Sequence, residues 1–280
     1  MCALVIVYAL AGAIAWAGSQ GGAFAGALPV FASCALLAFA MQWLAFVPAY
    51  LKQTETFYDL TGSLTYISCT LLALVLAGQF DGRSILLTVF ILVWAARLGS
   101  FLFARIRQDG SDSRFDKIKP NPLRFFVTWS LQGLWVLLTA GAAWAAITSA
   151  EARPLKVIDA IGAGLWLVGF VIEVVADRQK RDFRARAGSE GFITTGLWSR
   201  SRHPNYLGEI LLWLGIAILA LPALGGWQLA TLISPVFVYL LLTRVSGIPL
   251  LEKKADSRWG GQAEYEAYKA STPVLFPRLR

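Results

Sequence analysis

The stretch Ser84-Ile-Leu-Leu-Thr-Val-Phe-Ile-Leu-Val-Trp-Ala-Ala-Arg97-Leu-Gly-Ser-Phe-Leu-Phe-Ala104 contains a single charged residue. Its length matches the roughly 20 apolar residues that an α-helix needs to cross the hydrocarbon core of a bilayer. The whole chain has this character, because 57% of its 280 residues are hydrophobic and only 15% are charged, where an ordinary soluble domain carries about 25% charge. The composition therefore indicates an integral membrane protein and argues against a soluble enzyme.

Further apolar runs flank this one, separated by short glycine-, proline- or charge-containing segments. They cover 2–18, 27–49, 61–78, 122–148, 157–177, 206–223 and 227–250. None alternates as a barrel strand does, and in lipid each segment must satisfy its own backbone, so the runs predict helices. We expect an all-α bundle of seven or eight transmembrane helices, with N-terminal spans in 1–50, a membrane domain over 51–251 and a cytoplasmic tail over 252–280.

The basic residues are concentrated in three segments. Nineteen of the 25 lysines and arginines fall in 105–124, 178–202 and 252–280, and the formal net charge is +8. Because short cytoplasmic loops carry the excess of Lys and Arg in membrane proteins, these segments are expected on the cytoplasmic side. A basic balance placed in this way favours an anionic membrane face or an anionic ligand, and we expect no nucleic-acid partner.

Charged residues also occur inside or at the ends of the apolar runs, all near the expected cytoplasmic side. They are Glu55, Asp59, Arg97, Glu173, Asp177, Glu209 and Arg244. A charge inside a span costs about 2.5–3.5 kcal/mol on insertion scales, so each is a candidate functional residue. Any one of them can instead be a helix-end residue that reaches the interface, but the seven together predict a polar cavity open to the cytoplasm.

One face of the sixth predicted helix collects charges at helical spacing. Glu173, Asp177, Arg181 and Arg184 follow one another at steps of four, four and three residues. In one interpretation, Asp177 and Arg181 form an ion pair at a basic helix end. In the other, the two arginines bind phosphate oxygens while an acidic residue accepts a hydroxyl. This stretch alone leaves both interpretations open.

The tract Arg202-His203-Pro204-Asn205-Tyr206-Leu-Gly-Glu209 holds the only histidine of the chain. Pro204 suits the first turn of a helix that starts near Asn205. The backbone N–H groups and the dipole at a helix N-terminus favour a bound anion. Because basic and polar side chains surround this helix start, we interpret the tract as an anion site rather than a simple cap.

Motifs of soluble nucleotide-binding proteins and of metal sites are missing from the sequence. No GxGxxG follows a strand, and no GxxxxGK[ST] occurs. Cys2, Cys34 and Cys69 lie in or beside apolar runs without CxxC or Cys/His spacing. We therefore expect buried thiols, no metal site and no disulfide.

Over Ser201–Glu209, and in the tail at Tyr265-Glu-Ala-Tyr268 and Phe276-Pro277, the sequence resembles the steroid 5α-reductase family and within it the bacterial branch. Other matching features are Gln53 and Glu55, Trp94-Ala-Ala-Arg97-Leu, Asp112-Ser-Arg114-Phe, and the spacing of Asp177, Arg181 and Arg184. The resemblance implies a membrane reductase that uses NADPH to saturate a double bond conjugated to a ketone, above all the 4,5 double bond of a 3-oxo-4-ene steroid. It implies a multi-pass membrane protein, in the cytoplasmic membrane if the source is bacterial, with the cofactor site facing the cytoplasm.

The resemblance also implies roles for individual residues. Gln53, Glu55 and Tyr58 are the expected catalytic residues at the substrate carbonyl, Tyr58 standing in for a family tyrosine that falls at Trp94. Glu55 can polarise a carbonyl if burial keeps it protonated. Trp94 and Glu209 are expected in the substrate pocket. The expected cofactor-binding residues are Arg97, Arg114, Asp177, Arg181, Arg184, Arg202, His203, Asn205, Tyr206, Glu209 and Tyr268.

The expected partners are few. The substrate is an apolar steroid or related enone that enters from membrane lipid, NADPH enters from the cytoplasm, and the tail 252–280 closes over it. We expect a monomer.

Two other functions remain open. Membrane methyltransferases of isoprenylcysteine or phospholipid amines share a similar Arg-His-Pro-x-Tyr-x-Gly tract and a C-terminal Tyr-x-x-Tyr, and they bind S-adenosylmethionine. That cofactor has no phosphate, so the two arginines at 181 and 184 favour the reductase. A sterol or lipid transporter is the third candidate, but the sequence has no broken helix or inverted repeat that favours one.

Overall fold

The computed structural model describes residues 2–151, 153–188 and 191–278. Its helices are α1 (Cys2–Ser19), α2 (Val30–Leu51), α3 (Tyr58–Ala77), α4 (Gly82–Asp109), α5 (Pro122–Ile147), α6 (Val157–Ala187), α7 (Pro204–Ala220), α8 (Ile233–Leu240), α9 (Ile248–Trp259) and α10 (Ala263–Ser271). Two short strands, β1 (Phe24–Ala25) and β2 (Leu28–Pro29), form an antiparallel hairpin between α1 and α2. Short 3-10 segments and a π-helical turn, Leu241–Val245, lie between several of the helices from α4 onward.

The described residues contain eight helices that are long and apolar enough to cross a membrane. This confirms the predicted all-α membrane fold and gives the higher of the two expected counts. The last span is the least regular, because Gly226–Trp259 passes through 3-10, α and π turns. Elsewhere local signals set the helix ends: Asp81 accepts hydrogen bonds from the first amides of α4, and Asn121 caps α5 ahead of Pro122.

The chain divides into two compact units, which are described separately. The first unit comprises the chain as far as Asp159 together with Ala217–Ser234. In it, α5 is the central helix, with most of its residues buried, and α1 to α4 pack around it and against one another. Many exposed side chains of α1 to α4 are apolar, as lipid-facing surfaces are.

A buried ion pair joins distant parts of the first unit. Arg83, in the first turn of α4, donates to both carboxylate oxygens of Asp159, at 3.3 and 2.8 Å, and to the carbonyls of Arg153, Pro154 and Leu219. Both side chains are almost inaccessible to solvent. The pair was not predicted from the sequence.

The second unit comprises Ala160–Ile216 and the chain from Pro235 onward. In it, α6 and α7 touch backbone to backbone at glycines. A Cβ atom on Gly208 would lie 2.6 Å from the Glu173 nitrogen, and one on Gly215 would lie 2.6 Å from the Trp166 nitrogen. Small residues at these positions let the two helices pack without intervening side chains.

Candidate functional site

A cavity of about 240 Å³ lies in the second unit, between the C-terminal part of α6, the segment before α7, and the helices α9 and α10. Five basic side chains line it, together with the carboxylate of Glu252. The basic residues are Lys180, Arg184, Arg202, Lys254 and Arg258. The aromatic residues that line it are Phe183, Phe192, Trp198, Trp259, Tyr265 and Tyr268. The cavity is therefore both strongly positive and rich in flat apolar surface.

Contacts with α6 position the segment that carries Trp198, one of the residues lining the cavity. Gly196 has a φ of +63°, a conformation that favours glycine, and its turn places the Leu197 amide 3.0 Å from the Gln179 side-chain oxygen. The Trp198 indole donates to the Ala176 carbonyl at 3.1 Å, and the Lys180 ammonium lies 4.8 Å from the centre of the Trp198 ring. This segment thus follows α6 closely.

The C-terminal segment of the chain contacts the backbone at both Trp198 and Arg202. The Arg202 amide donates to the Pro273 carbonyl at 2.9 Å, and the Tyr268 hydroxyl donates to the Trp198 carbonyl at 2.7 Å. Burial raises the pKa of Tyr268 to about 12, so this hydroxyl stays protonated and remains a donor at neutral pH. The Phe192 ring lies among the rings of Trp259, Tyr265 and Tyr268, at 5.2 to 5.8 Å between centroids.

Glu252 contacts both residues at the start of the Arg-His-Pro tract. One of its oxygens lies 2.7 Å from Arg202 Nη1, and the other lies 2.7 Å from His203 Nε2. Burial, reinforced by the nearby Lys180 and Arg202 cations, lowers the pKa of His203 below its ordinary 6.5 although Glu252 acts in the opposite direction. The imidazole is therefore neutral at pH 7.

The same tract leaves buried polar atoms without hydrogen-bond partners. They are Arg202 Nε, Arg202 Nη1 and His203 Nδ1. Nη1 lies 2.7 Å from a Glu252 oxygen and is ion-paired with it, so the groups without any partner are Arg202 Nε and His203 Nδ1. More than about nine in ten buried polar groups in folded proteins have a partner. An unpaired donor and an unpaired ring nitrogen beside a cavity therefore indicate a ligand site.

Four of the predicted cofactor residues line this one cavity: Arg184, Arg202, His203 and Tyr268. Tyr206 contacts it indirectly, because its ring stacks on His203 at 5.7 Å and 10° between planes. Asp177 is buried on α6, while Asn205 and Glu209 are half-buried on the first turns of α7, and these three lie outside the cavity lining.

Arg181 differs from its neighbour Arg184. Its side chain is 62% exposed and lies 3.7 Å from Asp182, so it is on the outer side of α6. A step of three residues rotates a helix by about 300°, which leaves the two side chains some 60° apart. Both arginines are exposed to solvent, but only Arg184 lines the cavity.

The residues predicted at the substrate carbonyl lie in the first unit and bond within it. Glu55 is buried, and its oxygens accept from the Asp112 amide at 2.7 Å and from the Lys119 ammonium. The Tyr58 hydroxyl donates to the Thr128 carbonyl at 3.0 Å. Gln53 is exposed, has a φ of +50°, and donates to the Tyr50 carbonyl at the end of α2.

Three further predicted residues also belong to the first unit. Trp94 is buried with its ring edge-to-face on Tyr66. Arg97 lies over the Phe101 ring at 5.3 Å. Arg114 is exposed and pairs with Asp112. Burial raises the pKa of the Asp112 carboxyl, but hydrogen bonds from Arg114 outweigh this and hold it below the ordinary value.

Sequence reasoning missed several residues of the cavity. Lys254 and Arg258 lie one turn apart on α9, and Glu252 precedes them. Their spacing on a basic amphipathic segment was a usable signal. Outside the cavity, Lys119 and Arg83 were also missed. No spacing pattern indicates them, because their partners Glu55 and Asp159 lie 64 and 76 residues away along the chain.

A family model described as "Protein of unknown function (DUF1295)" matches residues 45–272. The chain is 25% identical over 236 residues to an uncharacterized protein of Schizosaccharomyces pombe. The aligned region covers 73% of this chain and 66% of that protein. No protein of known structure matches the chain.

Two steroid-converting enzymes are also similar. The chain is 31% identical over 119 residues to 3-oxo-5-alpha-steroid 4-dehydrogenase 1 of Rattus norvegicus, a match that covers 41% of this chain and 40% of that enzyme. It is 31% identical over 121 residues to the same-named enzyme of Macaca fascicularis, covering 42% and 40%. The matches span less than two thirds of the length of each of these relatives.

Proposed function

The chain belongs to the DUF1295 family, whose match spans residues 45–272, and we propose that it is an NADPH-dependent membrane reductase. The reaction is saturation of the double bond of an α,β-unsaturated ketone, with a 3-oxo-4-ene steroid as the leading substrate. The observation that carries the proposal is the cavity of the second unit, with its five basic residues and the unpaired Nε donor of Arg202. Partial similarity to steroid 5α-reductases supports the same reaction class.

The lining of the cavity fits a phosphorylated dinucleotide. Five cations face one carboxylate, which leaves an excess of positive charge for a pyrophosphate and a 2′-phosphate. Aromatic rings such as Phe192, Trp259 and Tyr265 offer flat surfaces for a nicotinamide or adenine ring. We assign phosphate binding to Arg184, Arg202 and the basic residues of α9. When bound, NADPH supplies the hydride.

At the carbonyl end, the chain must stabilise the negative charge that grows on oxygen as hydride adds to the β-carbon. We assign this task to the segment Gln53–Tyr58, with Trp94 in the substrate pocket. Both oxygens of Glu55 are already engaged as acceptors, one with the Asp112 amide and one with the Lys119 ammonium. In this arrangement the donor is the ammonium of Lys119, which Glu55 holds in place.

The membrane provides different routes for the two ligands. Lipid-facing helices give an apolar steroid or related enone access from the bilayer, and water-soluble NADPH reaches the cavity from the basic side. We place that side in the cytoplasm, in a bacterial cytoplasmic membrane, and take the working unit to be a monomer.

A direct test is titration of detergent-purified protein with NADPH, NADH and S-adenosylmethionine, each followed by calorimetry. We expect micromolar binding of NADPH, weaker binding of NADH and no response to S-adenosylmethionine. Loss of enone absorbance with a 3-oxo-4-ene steroid then tests the reaction. Binding of S-adenosylmethionine without NADPH would overturn the proposal.

Two arginines on one helix provide a matched pair of variants. Arg184→Ala removes a cation from the cavity lining, and we expect NADPH affinity to fall roughly tenfold, or about 1.4 kcal/mol. Arg181→Ala removes an exposed cation three residues earlier, and affinity should stay within twofold. Equal losses in the two variants would remove Arg184 from the proposed binding site.

The methyltransferase remains the second candidate because of one feature. An aromatic lining with a carboxylate, Glu252, is suited to a sulfonium cation. The excess of basic side chains in the same cavity opposes a cationic ligand, so the reductase is preferred.

A further inference from the structure

His203 lines the cavity with its side chain buried, and its two ring nitrogens have different surroundings. Nε2 lies 2.7 Å from a carboxylate oxygen of Glu252. Nδ1 is buried and has no hydrogen-bond partner. Lys180 and Arg202 place positive charge near the ring, and the Tyr206 ring stacks on it.

A neutral imidazole carries one proton, and its position decides what each nitrogen can do. A carboxylate only accepts hydrogen bonds, so the short contact with Glu252 requires the proton on Nε2. Nδ1 is then left with a lone pair and acts as an acceptor. Arg202 Nε, in the adjacent residue, is a donor without a partner, and Arg202 Nη1 is ion-paired with Glu252.

We propose that Glu252 is a positioning residue that fixes His203 in the Nε2–H tautomer, so that Nδ1 presents an acceptor beside the Arg202 donors. The cavity then selects a ligand group that carries an N–H or O–H donor next to an acceptor oxygen. This inference deepens the proposed function and relies on it for the identity of the ligand. Within NADPH, both a ribose hydroxyl beside a phosphate and the nicotinamide carboxamide have this pattern.

The tautomer can be measured directly because His203 is the only histidine in the chain. Protein labelled with ¹⁵N-histidine gives the ring-nitrogen resonances of a single residue. We expect a protonated Nε2 and an unprotonated Nδ1 at pH 7.5 without ligand. A proton on Nδ1, or on both nitrogens, would overturn the proposal whether or not NADPH binds.

Two variants on α9 separate positioning from a general structural effect. Glu252→Gln replaces an obligatory acceptor by a group that can also donate, so we expect the two tautomers to mix. Asp256→Asn, one turn later, changes a carboxylate that bonds Tyr265 and Lys269 instead, and the His203 spectrum should not change. An unchanged tautomer in Glu252→Gln contradicts the positioning role, and the wild-type spectrum still decides if that variant fails to fold.

Ligand fragments identify the group that meets Nδ1. NADPH should shift the Nδ1 resonance through a new hydrogen bond, and adenosine 2′,5′-bisphosphate and nicotinamide mononucleotide test its ribose phosphate and its carboxamide separately. S-adenosylmethionine, whose amino group lies beside a carboxylate, is the third probe. A shift with it alone would leave the tautomer assignment intact and overturn the reductase, whereas NADPH binding without any change at Nδ1 would overturn the ligand-selection half of this inference.

Discussion

Both units contain a carboxylate that pairs with a basic residue, and the two pairs differ in what surrounds them. In the first unit, Glu55 accepts from Lys119 and from the Asp112 amide, so the chain satisfies both oxygens. In the second unit, Glu252 contacts Arg202 and His203, yet those two residues keep a buried donor and an acceptor without partners. The first pair leaves both oxygens of Glu55 satisfied within the chain, while buried unpaired groups beside a cavity indicate a place for a ligand.

The largest effect should come from breaking the satisfied pair. Glu55→Ala leaves the Lys119 ammonium without its buried partner, and loss of one member of a buried pair costs about 3–5 kcal/mol of unfolding free energy. We expect a marked loss of stability in detergent, measured by denaturant or thermal unfolding, with the NADPH dissociation constant unchanged.

Asp116→Ala is the matched control for that variant. Asp116 is 62% exposed and lies 3.9 Å from the same ammonium, so its removal should cost less than about 0.5 kcal/mol. If Glu55→Gln abolished turnover while stability was retained, Glu55 would have a catalytic role beyond holding Lys119.

The next largest effect should come from Arg202. Arg202→Ala removes the unpaired donor from the cavity, and hydrogen bonds to charged groups contribute about 1.5–3 kcal/mol each. We expect NADPH affinity to fall by about 10- to 100-fold in a calorimetric titration. Arg200→Ala, an exposed arginine two residues earlier, should leave affinity within twofold. Similar losses in both variants would mean that general charge, not the Arg202 contact, binds the ligand.

A pH effect on stability should be smaller. Because burial holds the folded pKa of His203 below 6.5, the unfolded chain binds this proton first as pH falls. The resulting contribution to the free energy of unfolding is fully present at pH values above the pKa of His203 in the unfolded chain. It is lost as the pH falls below that pKa, by no more than about 1.4 kcal/mol per pH unit. Unfolding of wild type and His203→Gln at pH 7.5 and 5.5 measures the difference, and the variant should lose less on acidification. Equal losses would show that His203 contributes nothing to the pH dependence.

The smallest effect should come from the rim of the cavity. Lys254 lines the cavity but is solvent-exposed, so Lys254→Met should lower NADPH affinity by only about two- to fivefold, with the loss shrinking at high salt. Lys253→Met is the control, since Lys253 is exposed and does not line the cavity. A salt-independent loss in Lys254→Met would contradict an electrostatic contact.

The sequence predicted the fold well because apolar runs report directly on membrane helices. The Arg202–Tyr206 tract and Arg184 fall in or against the cavity, whereas none of the seven charged residues from which a polar cavity was predicted lines it. Helical spacing could not separate Arg181 from Arg184, because both lie within the same broad face of α6. The surroundings of Glu55 were harder still to predict, because its partner Lys119 lies 64 residues away and only the folded chain brings the two together.

The buried Arg83 also constrains how the chain is assembled in the membrane. Its acceptors come from residues 153, 154, 159 and 219, all of which are synthesised long after α4. During synthesis Arg83 therefore has no acceptors at first. It lies at the N-terminal end of α4, where its long side chain reaches the interfacial water. The first unit can be completed only when the C-terminal end of α7 arrives, so a chain truncated after α5 lacks every one of these acceptors.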